Sequence, residues 1–444
     1  MNKEFHKKQN FFSFSDIDSE RKDRIMKFTS TEATPAPHVP PGVLRLTGAA
    51  KEDIPMYRIQ TMNKISPVGL NRFPSELYEV GDAVQDPQGI LVRSAKLLDL
   101  EFNPSLLAIA RAGVGVNNIP LDRCAAAGIP VFSTPGANAN AVKELVVCAM
   151  LMGSRDIPGA IRWVREQAAS GVDVSTVVEK GKSAFIGPEL YKKTLGIIGL
   201  GAIGSIVANT AISLGMDVYG YDPFLSVDTA LRLDRHVHVV KDINDLYKRS
   251  DYITMHIHYT EKTAHMIDAD AIAAMKRGVR VINLARGEIV DDEAMLTALD
   301  TGMVAAYITD FPNNRLLTAP HVIAMPHLGA STPESEQNCA AMAVDTLRDY
   351  LESGNIRSSV NLPEMTMDRS GVQRLCVLHK NVPGMLANIT SLFGRDGVNV
   401  ENLSNKSRGD YAYTMVDLGS KVGDNVIEDV RRTANVIRVR SLEW

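Results

Sequence analysis

The apolar run 194–200 carries into Gly199-Leu-Gly201-Ala202-Ile203-Gly204, and a helical pattern over 205–214 follows at once. Three glycines at this spacing are weak evidence alone, but the strand before and the helix after supply the context in which they bind a dinucleotide. Gly199 makes the tight turn, Gly201 lets the backbone approach a pyrophosphate, and Gly204 lets helix and strand pack closely. The free N–H groups around Ala202 and Ile203 and the positive end of the helix then face the phosphates. Asp222 closes the next strand, where a carboxylate accepts from both ribose hydroxyls and repels a 2′-phosphate. NAD is therefore expected as cofactor, rather than NADP.

Two further residues stand at the ends of later apolar runs. Arg286 lies in Ile282-Asn-Leu-Ala285-Arg-Gly-Glu-Ile-Val-Asp291, and His327 in Met325-Pro-His-Leu-Gly329. Open α/β sheets bind ligands at the carboxyl ends of their strands. A guanidinium there can grip a carboxylate in bidentate fashion and polarise a developing carbonyl. An imidazole can take a hydroxyl proton. With a hydride acceptor nearby, these groups suffice to oxidise the secondary alcohol of a 2-hydroxy acid. Singly, the arginine would read as an ion-pair partner and the histidine as structural.

The chain that must position these groups has 444 residues, too long for one core. From Tyr57 onward, short apolar runs (89–93, 106–110, 129–132, then 194–200, 217–221, 252–257, 279–284, 304–308 and 322–325) alternate with helical patterns. That order predicts parallel, doubly wound sheets. The expected architecture is α/β, with two Rossmann-like domains flanking a cleft. One is discontinuous, 55–150 plus a returning helix at 331–352, and would bind substrate. The other, 151–330, would bind NAD. A linker over 353–371 leads to 372–444, whose βαββαβ order is the ferredoxin-like plan. Residues 1–54 read as an extension with a short helix around 18–28, ending in a proline-rich stretch.

A net charge of −4 supplies no basic field for nucleic acid or an anionic membrane surface, so an anionic substrate must be held by local cations. Cys124, Cys148, Cys339 and Cys376 lie far apart, which argues against a zinc site or a disulfide framework and for a reducing cytoplasm. No apolar run approaches the roughly 20 residues of a membrane span. Acidic residues at 4, 16, 18 and 20 and the absence of an apolar stretch argue against a targeting segment.

Taken together over residues 57–352, these motifs resemble the D-isomer-specific 2-hydroxyacid dehydrogenase family. The resemblance implies Arg286 as the substrate-binding arginine and His327 as the general base. It adds His256, Ala285 and Asp310 to the cofactor site. It assigns Arg93, Ser94, Asn117 and, more weakly, Lys143 to the substrate. The family's usual glutamate partner of the histidine is missing, and Asn314 occupies its position. An amide can orient a neutral imidazole but cannot stabilise an imidazolium by charge. Either Asp310 swings in, or a distant acid takes over, or the histidine works with a lower pKa and favours oxidation at neutral pH. The last is the expectation.

The C-terminal segment Leu378-His379-Lys-Asn381-Val-Pro-Gly384 resembles the opening of an ACT domain, a small amino-acid-binding module. His379, Asn381 and Asn399 are its candidate effector contacts, although Asn381 and Asn399 could equally satisfy turn backbones. Within the dehydrogenase family this addition implies the branch that oxidises D-3-phosphoglycerate, with L-serine as a feedback effector and a homodimer or homotetramer as assembly. Two rival readings remain: another 2-hydroxy acid such as 2-hydroxyglutarate, or an NAD-sensing binding protein with weak catalysis.

Overall fold

The computed structural model describes residues 56–444; the helix expected around 18–28 lies outside them. Five short strands form a parallel sheet in the order β2-β1-β3-β4-β5. They are β1 (Tyr57–Met62), β2 (Tyr78–Gly81), β3 (Gly89–Val92), β4 (Ala108–Arg111) and β5 (Val131–Phe132), with helices α1 (Pro67–Leu70) and α2 (Leu121–Ala126) between them. Every residue of β3 is buried, as expected of a central parallel strand covered on both faces.

Helices α3 (Ala139–Arg155), α4 (Ile157–Ala169) and α5 (Val174–Gly181) lead to a second parallel sheet. Its strands are β6 (Thr194–Ile198), β7 (Asp217–Tyr221), β8 (Val237–Val240), β9 (Tyr252–Met255), β10 (Val279–Asn283), β11 (Val304–Thr309) and β12 (Val322–Ala324). The order β12-β11-β10-β9-β6-β7-β8 places the chain reversal between β6 and β9, where doubly wound sheets open a crevice. Helices α6 (Ala202–Ser213), α7 (Val227–Arg232), α8 (Ile243–Arg249), α9 (Ala269–Ala273) and α10 (Asp292–Asp300) connect these strands.

The expected division at residue 150 cuts α3 in two. Val142, Val146, Ala149 and Met150 of that helix pack into the core of the second sheet beside Leu195, Ile197 and Ile308. The chain therefore changes sheets before α3, because the apolar stripe of this helix faces forward in sequence. The return is made by α11 (Pro333–Ser353), started by the Thr332 hydroxyl accepting from Ser335 N and stopped by Gly354 at φ +74°. Its buried face, including Ala343, Val344, Leu347 and Leu351, joins the core of the first sheet.

Residues 353–371 are not a free tether. Ile356, Leu362, Met365 and Met367 are buried in the same core as α11, and Ile356 bridges to Met365. The last unit runs β13 (Gln373–Lys380), α12 (Met385–Arg395), β14 (Val400–Arg408), β15 (Tyr411–Leu418), α13 (Asp424–Arg432) and β16 (Val436–Glu443). Its antiparallel sheet has the order β14-β15-β13-β16, and both helices cover one face through Ile389, Phe393, Val426 and Val430. The other face, with Cys376, Leu378, Tyr413 and Met415, packs on the first sheet and α11.

Candidate active site

The turn after β6 has the geometry its glycines imply. Gly199 sits at φ +91°, and a Cβ there would meet His256 O at 2.6 Å. A Cβ on Gly204 would lie 1.9 Å from Gly199 O, which is the close approach of helix to strand. A Cβ on Gly201 would meet nothing within 4 Å, and no side chain caps the start of α6. The amides of Ala202 and Ile203 thus open onto space that a pyrophosphate fits. Asp222 accepts from Leu200 N through Oδ2 and from Phe224 N through Oδ1, each at 2.9 Å, which fixes its carboxylate at the rim. A carboxylate has about four lone-pair sites, so acceptor capacity is left for ribose hydroxyls. The residues present fit a dinucleotide.

His256 lines this turn with its ring against Thr254 Oγ1 at 3.1 Å. Burial holds its pKa down at about 4, so it stands neutral beside the phosphate turn. His258, further along, is exposed. Ala285 donates its N–H to Asn283 Oδ1 at 3.1 Å, and Asn283 Nδ2 donates back to Arg286 O at 2.8 Å. Asn283, fully buried, therefore shapes the loop that carries Arg286. The sequence reading missed it, since an asparagine ending a strand looks like any turn residue.

Arg286 belongs to no ion pair among the described residues, and its Nη1 donates to Ala285 O at 2.6 Å. A Cβ on Gly115 would lie 3.3 Å from Arg286 Nη2 and 3.9 Å from Asn117 Oδ1. The loop after β4 thus meets the loop after β10, and the two sheets contribute to one cleft. Arg93 directly follows β3 and pairs with Glu336 of α11 at 2.5 Å. Asn63, left-handed at φ +86°, accepts through Oδ1 from Ser94 N and Ala95 N and so fixes the Arg93-Ser94 loop. Lys143 lies on α3, 3.8 Å from Glu144, next to Val142, which touches the Gly329 turn.

The sequence reading also passed over Arg111. Its Nε donates to Arg93 O at 3.1 Å. Burial lowers its pKa, and the guanidiniums of Arg286 and Arg93 act in the same direction. Three cations therefore converge, and only Arg93 has a carboxylate partner among the described residues. Arg111 ends a strand next to a glycine loop, and that placement was the available signal.

His327 is exposed to the cleft, with its ring 4.6 Å from that of Phe311, and the Arg286 guanidinium lies 5.6 Å from the same ring. Asn314 makes no hydrogen bond to the histidine. Its neighbours are pinned the other way, Asn313 Nδ2 to Asp292 Oδ2 at 2.6 Å and Arg315 to Glu293. Asn314 itself is exposed. Asp310, by contrast, is buried at the end of β11.

Residues 147–329 match the family described as D-isomer specific 2-hydroxyacid dehydrogenase, NAD binding domain. A D-3-phosphoglycerate dehydrogenase from Escherichia coli is 31% identical over 380 residues, covering 82% of this chain and 89% of that protein. The chain belongs to the D-isomer-specific 2-hydroxyacid dehydrogenase family. The D-3-phosphoglycerate dehydrogenase of Synechocystis is 36% identical over 326 residues, 71% of this chain. The chain spans only 56% of that longer relative. A solved NAD+-bound 3-phosphoglycerate dehydrogenase from Entamoeba histolytica superposes with a TM-score of 0.54 at 25% identity, covering 69% of this chain and 99% of that one. Accordingly, the β6–α6 turn belongs to this family's NAD-binding domain.

In the C-terminal unit the three candidate effector residues are not brought together. His379 is buried, with Nδ1 at 2.8 Å from Lys380 O and Nε2 at 2.8 Å from Thr414 Oγ1. Asn381 donates to Gly409 O in the β14–β15 turn, while Asn399 holds Glu401 and accepts from Gly419 N at the opposite end of the sheet. One ligand cannot touch both asparagines of a single copy.

Proposed function

We propose that the protein oxidises D-3-phosphoglycerate at its 2-hydroxyl, with NAD as hydride acceptor. The observation that carries this reading is the convergence of Arg93, Arg111 and Arg286, the last of which shares the Phe311 ring with His327. A substrate with a carboxylate at one end and a phosphate at the other needs more cationic groups than a simple 2-hydroxy acid does. Arg286 grips the carboxylate and polarises the developing carbonyl. His327 removes the hydroxyl proton. Arg111 and Arg93 face the phosphate, the latter on release from Glu336, and Ser94 and Asn117 border the same space. NAD held at the 199–204 turn and Asp222 would supply the acceptor for the C2 hydride, while the chain's own residues hold the substrate in line and keep its charges paired.

The family membership and the relatives' names support this reading. An initial-rate assay for NADH formation across D-3-phosphoglycerate, 2-hydroxyglutarate and D-lactate tests it. The phosphorylated acid should lead by at least about tenfold in kcat/KM, the worth of one charge-assisted contact. Equal rates across the panel would discard it.

The assembly is proposed to be a homodimer or homotetramer. No residue of α4 or α5 is buried, and Ile161, Val164 and Val178 on them, with Val172 in the link between, lie exposed. Apolar residues grouped on exposed helices are the expected mark of an interface. We further assign the C-terminal unit to the ACT modules and L-serine as its effector. Asn381 and Asn399, separated within one copy, could meet only across two. Initial rates with and without L-serine, read beside the mass in solution, test both points.

A further inference from the structure

Of the three arginines of the cleft, Arg93 alone meets a carboxylate among the described residues, and that carboxylate stands where an anionic ligand would come. Glu336 lies in the first turn of α11, with Oε1 at 2.5 Å from Arg93 Nη2. Cys339, three residues further along the helix, is close enough to Arg111 to act on its charge, so this end of α11 faces both arginines. The helix dipole favours an acid in a first turn, but Glu334 already supplies one there. The side chains of Arg93 and Glu336 are 44% and 43% exposed, so water weakens their attraction and a ligand can displace it.

The pair also sits within one packed unit. Leu91 of β3 and Ala108 of β4 share a core with Ala340, Ala343 and Val344 of α11. Closing the cleft therefore leaves Arg93 and Glu336 side by side, and only another anion can part them. The backbone at Arg93 is held as well. Its carbonyl accepts from Arg111 Nε at 3.1 Å, and the next amide, Ser94 N, donates to Asn63 Oδ1 at 3.1 Å. Any exchange of partners is then confined to one side chain. A phosphate monoester brings close to two negative charges and three acceptor oxygens against the single charge of a glutamate. It can take the guanidinium over, whereas an acid whose one carboxylate is on Arg286 has nothing further to offer.

Resting on the phosphorylated-substrate reading above, we propose that Glu336 is an internal competitor for the substrate's phosphate. It occupies Arg93 in the empty cleft, yields it to the bound phosphate, and takes it back as the product leaves. The phosphate lies away from the carbon being oxidised, so its grip is the same on substrate, transition state and product. Grip of that uniform kind lowers KM without raising kcat, and it holds the product too. Glu336 trims it. The competing role is that Glu336 merely steadies Arg93 in its working position, and the two roles differ in sign once the carboxylate is removed.

The test uses the full chain and its Glu336→Gln variant, which keeps the shape of the side chain and removes the charge. Inorganic phosphate is titrated into each and followed by phosphorus NMR, and KM for D-3-phosphoglycerate is measured beside it. Both constants should fall about two- to fivefold in Glu336→Gln, the worth of a partly exposed ion pair, with no gain in kcat. The same substitution placed on Arg93→Ala should change neither, because the competition then has no object. Phosphate binding that is unchanged in Glu336→Gln, or undetectable in both chains, would overturn the proposal. Weaker binding would overturn it in favour of the steadying role. The phosphate titration needs no turnover, so a chain inactive on D-3-phosphoglycerate whose variant still binds phosphate more tightly would sink the proposed substrate and leave Glu336 the competitor.

Discussion

Asp417 and Asp310 are both aspartates hidden from solvent on or beside strands, and their surroundings are opposites. Asp417, in β15 where the C-terminal unit meets α11, is 0% exposed and saturated. Oδ1 accepts from Arg374 Nε at 2.6 Å, while Oδ2 accepts from Arg374 Nη2, Ser370 N and Ser370 Oγ at 2.8 to 3.0 Å. Arg374 spends its remaining donors on Ser353 O and Asp368 O, tying the sheet to the end of α11. Asp310 has one oxygen on a long bond and the other without a partner among the described residues. A buried charge kept for structure is paired on every side. A buried charge kept for chemistry leaves room for what has yet to arrive.

The sharpest way to break this contrast is Asp417→Ala. It strands a buried guanidinium and should cost about 3–5 kcal/mol in denaturant unfolding. Replacing both partners, Arg374→Met with Asp417→Leu, should recover most of that loss. A single variant costing less than about 1 kcal/mol, the worth of an exposed pair, would remove the distinction.

The cofactor turn offers the same contrast at smaller scale. Gly204→Ala drives a methyl to 1.9 Å from Gly199 O and should cost about 1–3 kcal/mol of stability, read as a lowered melting temperature. Gly201→Ala meets nothing, so its stability should match wild type. Its NADH affinity should nevertheless fall about tenfold or more, because the methyl takes space meant for the pyrophosphate. Equal melting temperatures for the two variants would show that the openness at Gly201 is not special.

The smallest expected effect falls on Asp310 itself. Its carboxyl is pushed up by burial, so between the unfolded and folded values the folded chain binds more protons. Stability therefore falls as pH rises through that window, and at neutral pH the ionised group works against folding. Asp310→Asn should leave thermal stability at pH 7 unchanged or raise it slightly. A clear loss there would make Asp310 a structural residue like Asp417.

Much of the scaffold was legible beforehand. The central strands were, because buried parallel strands read as short apolar runs. Strands β2 and β8 were not. Each is four residues long and half-exposed in large part, so neither offers an apolar run. Helices α4 and α5 bury nothing in this chain and left no core-facing signature. The reach of α3 into the second sheet also escaped, since periodicity gives a helix its apolar face without naming the sheet that receives it. In the site, glycine spacing and strand ends revealed the cofactor turn, Arg286 and His327. Asn63, Asn283 and Arg111 stayed hidden, because their partners lie on other elements.

The sequence by itself determined the element types, the cofactor turn and the two groups of acid–base and anion-binding character. Those follow from local sterics, hydrophobic period and side-chain chemistry, which act over a few residues. Only the tertiary structure decided that Asp310 is buried while Asn314 is exposed, which arginines of the cleft lack a carboxylate partner among the described residues, and that residues 353–371 and the C-terminal sheet pack against α11. Those outcomes depend on burial and on partners brought from far along the chain, and neither is written in the spacing of neighbours.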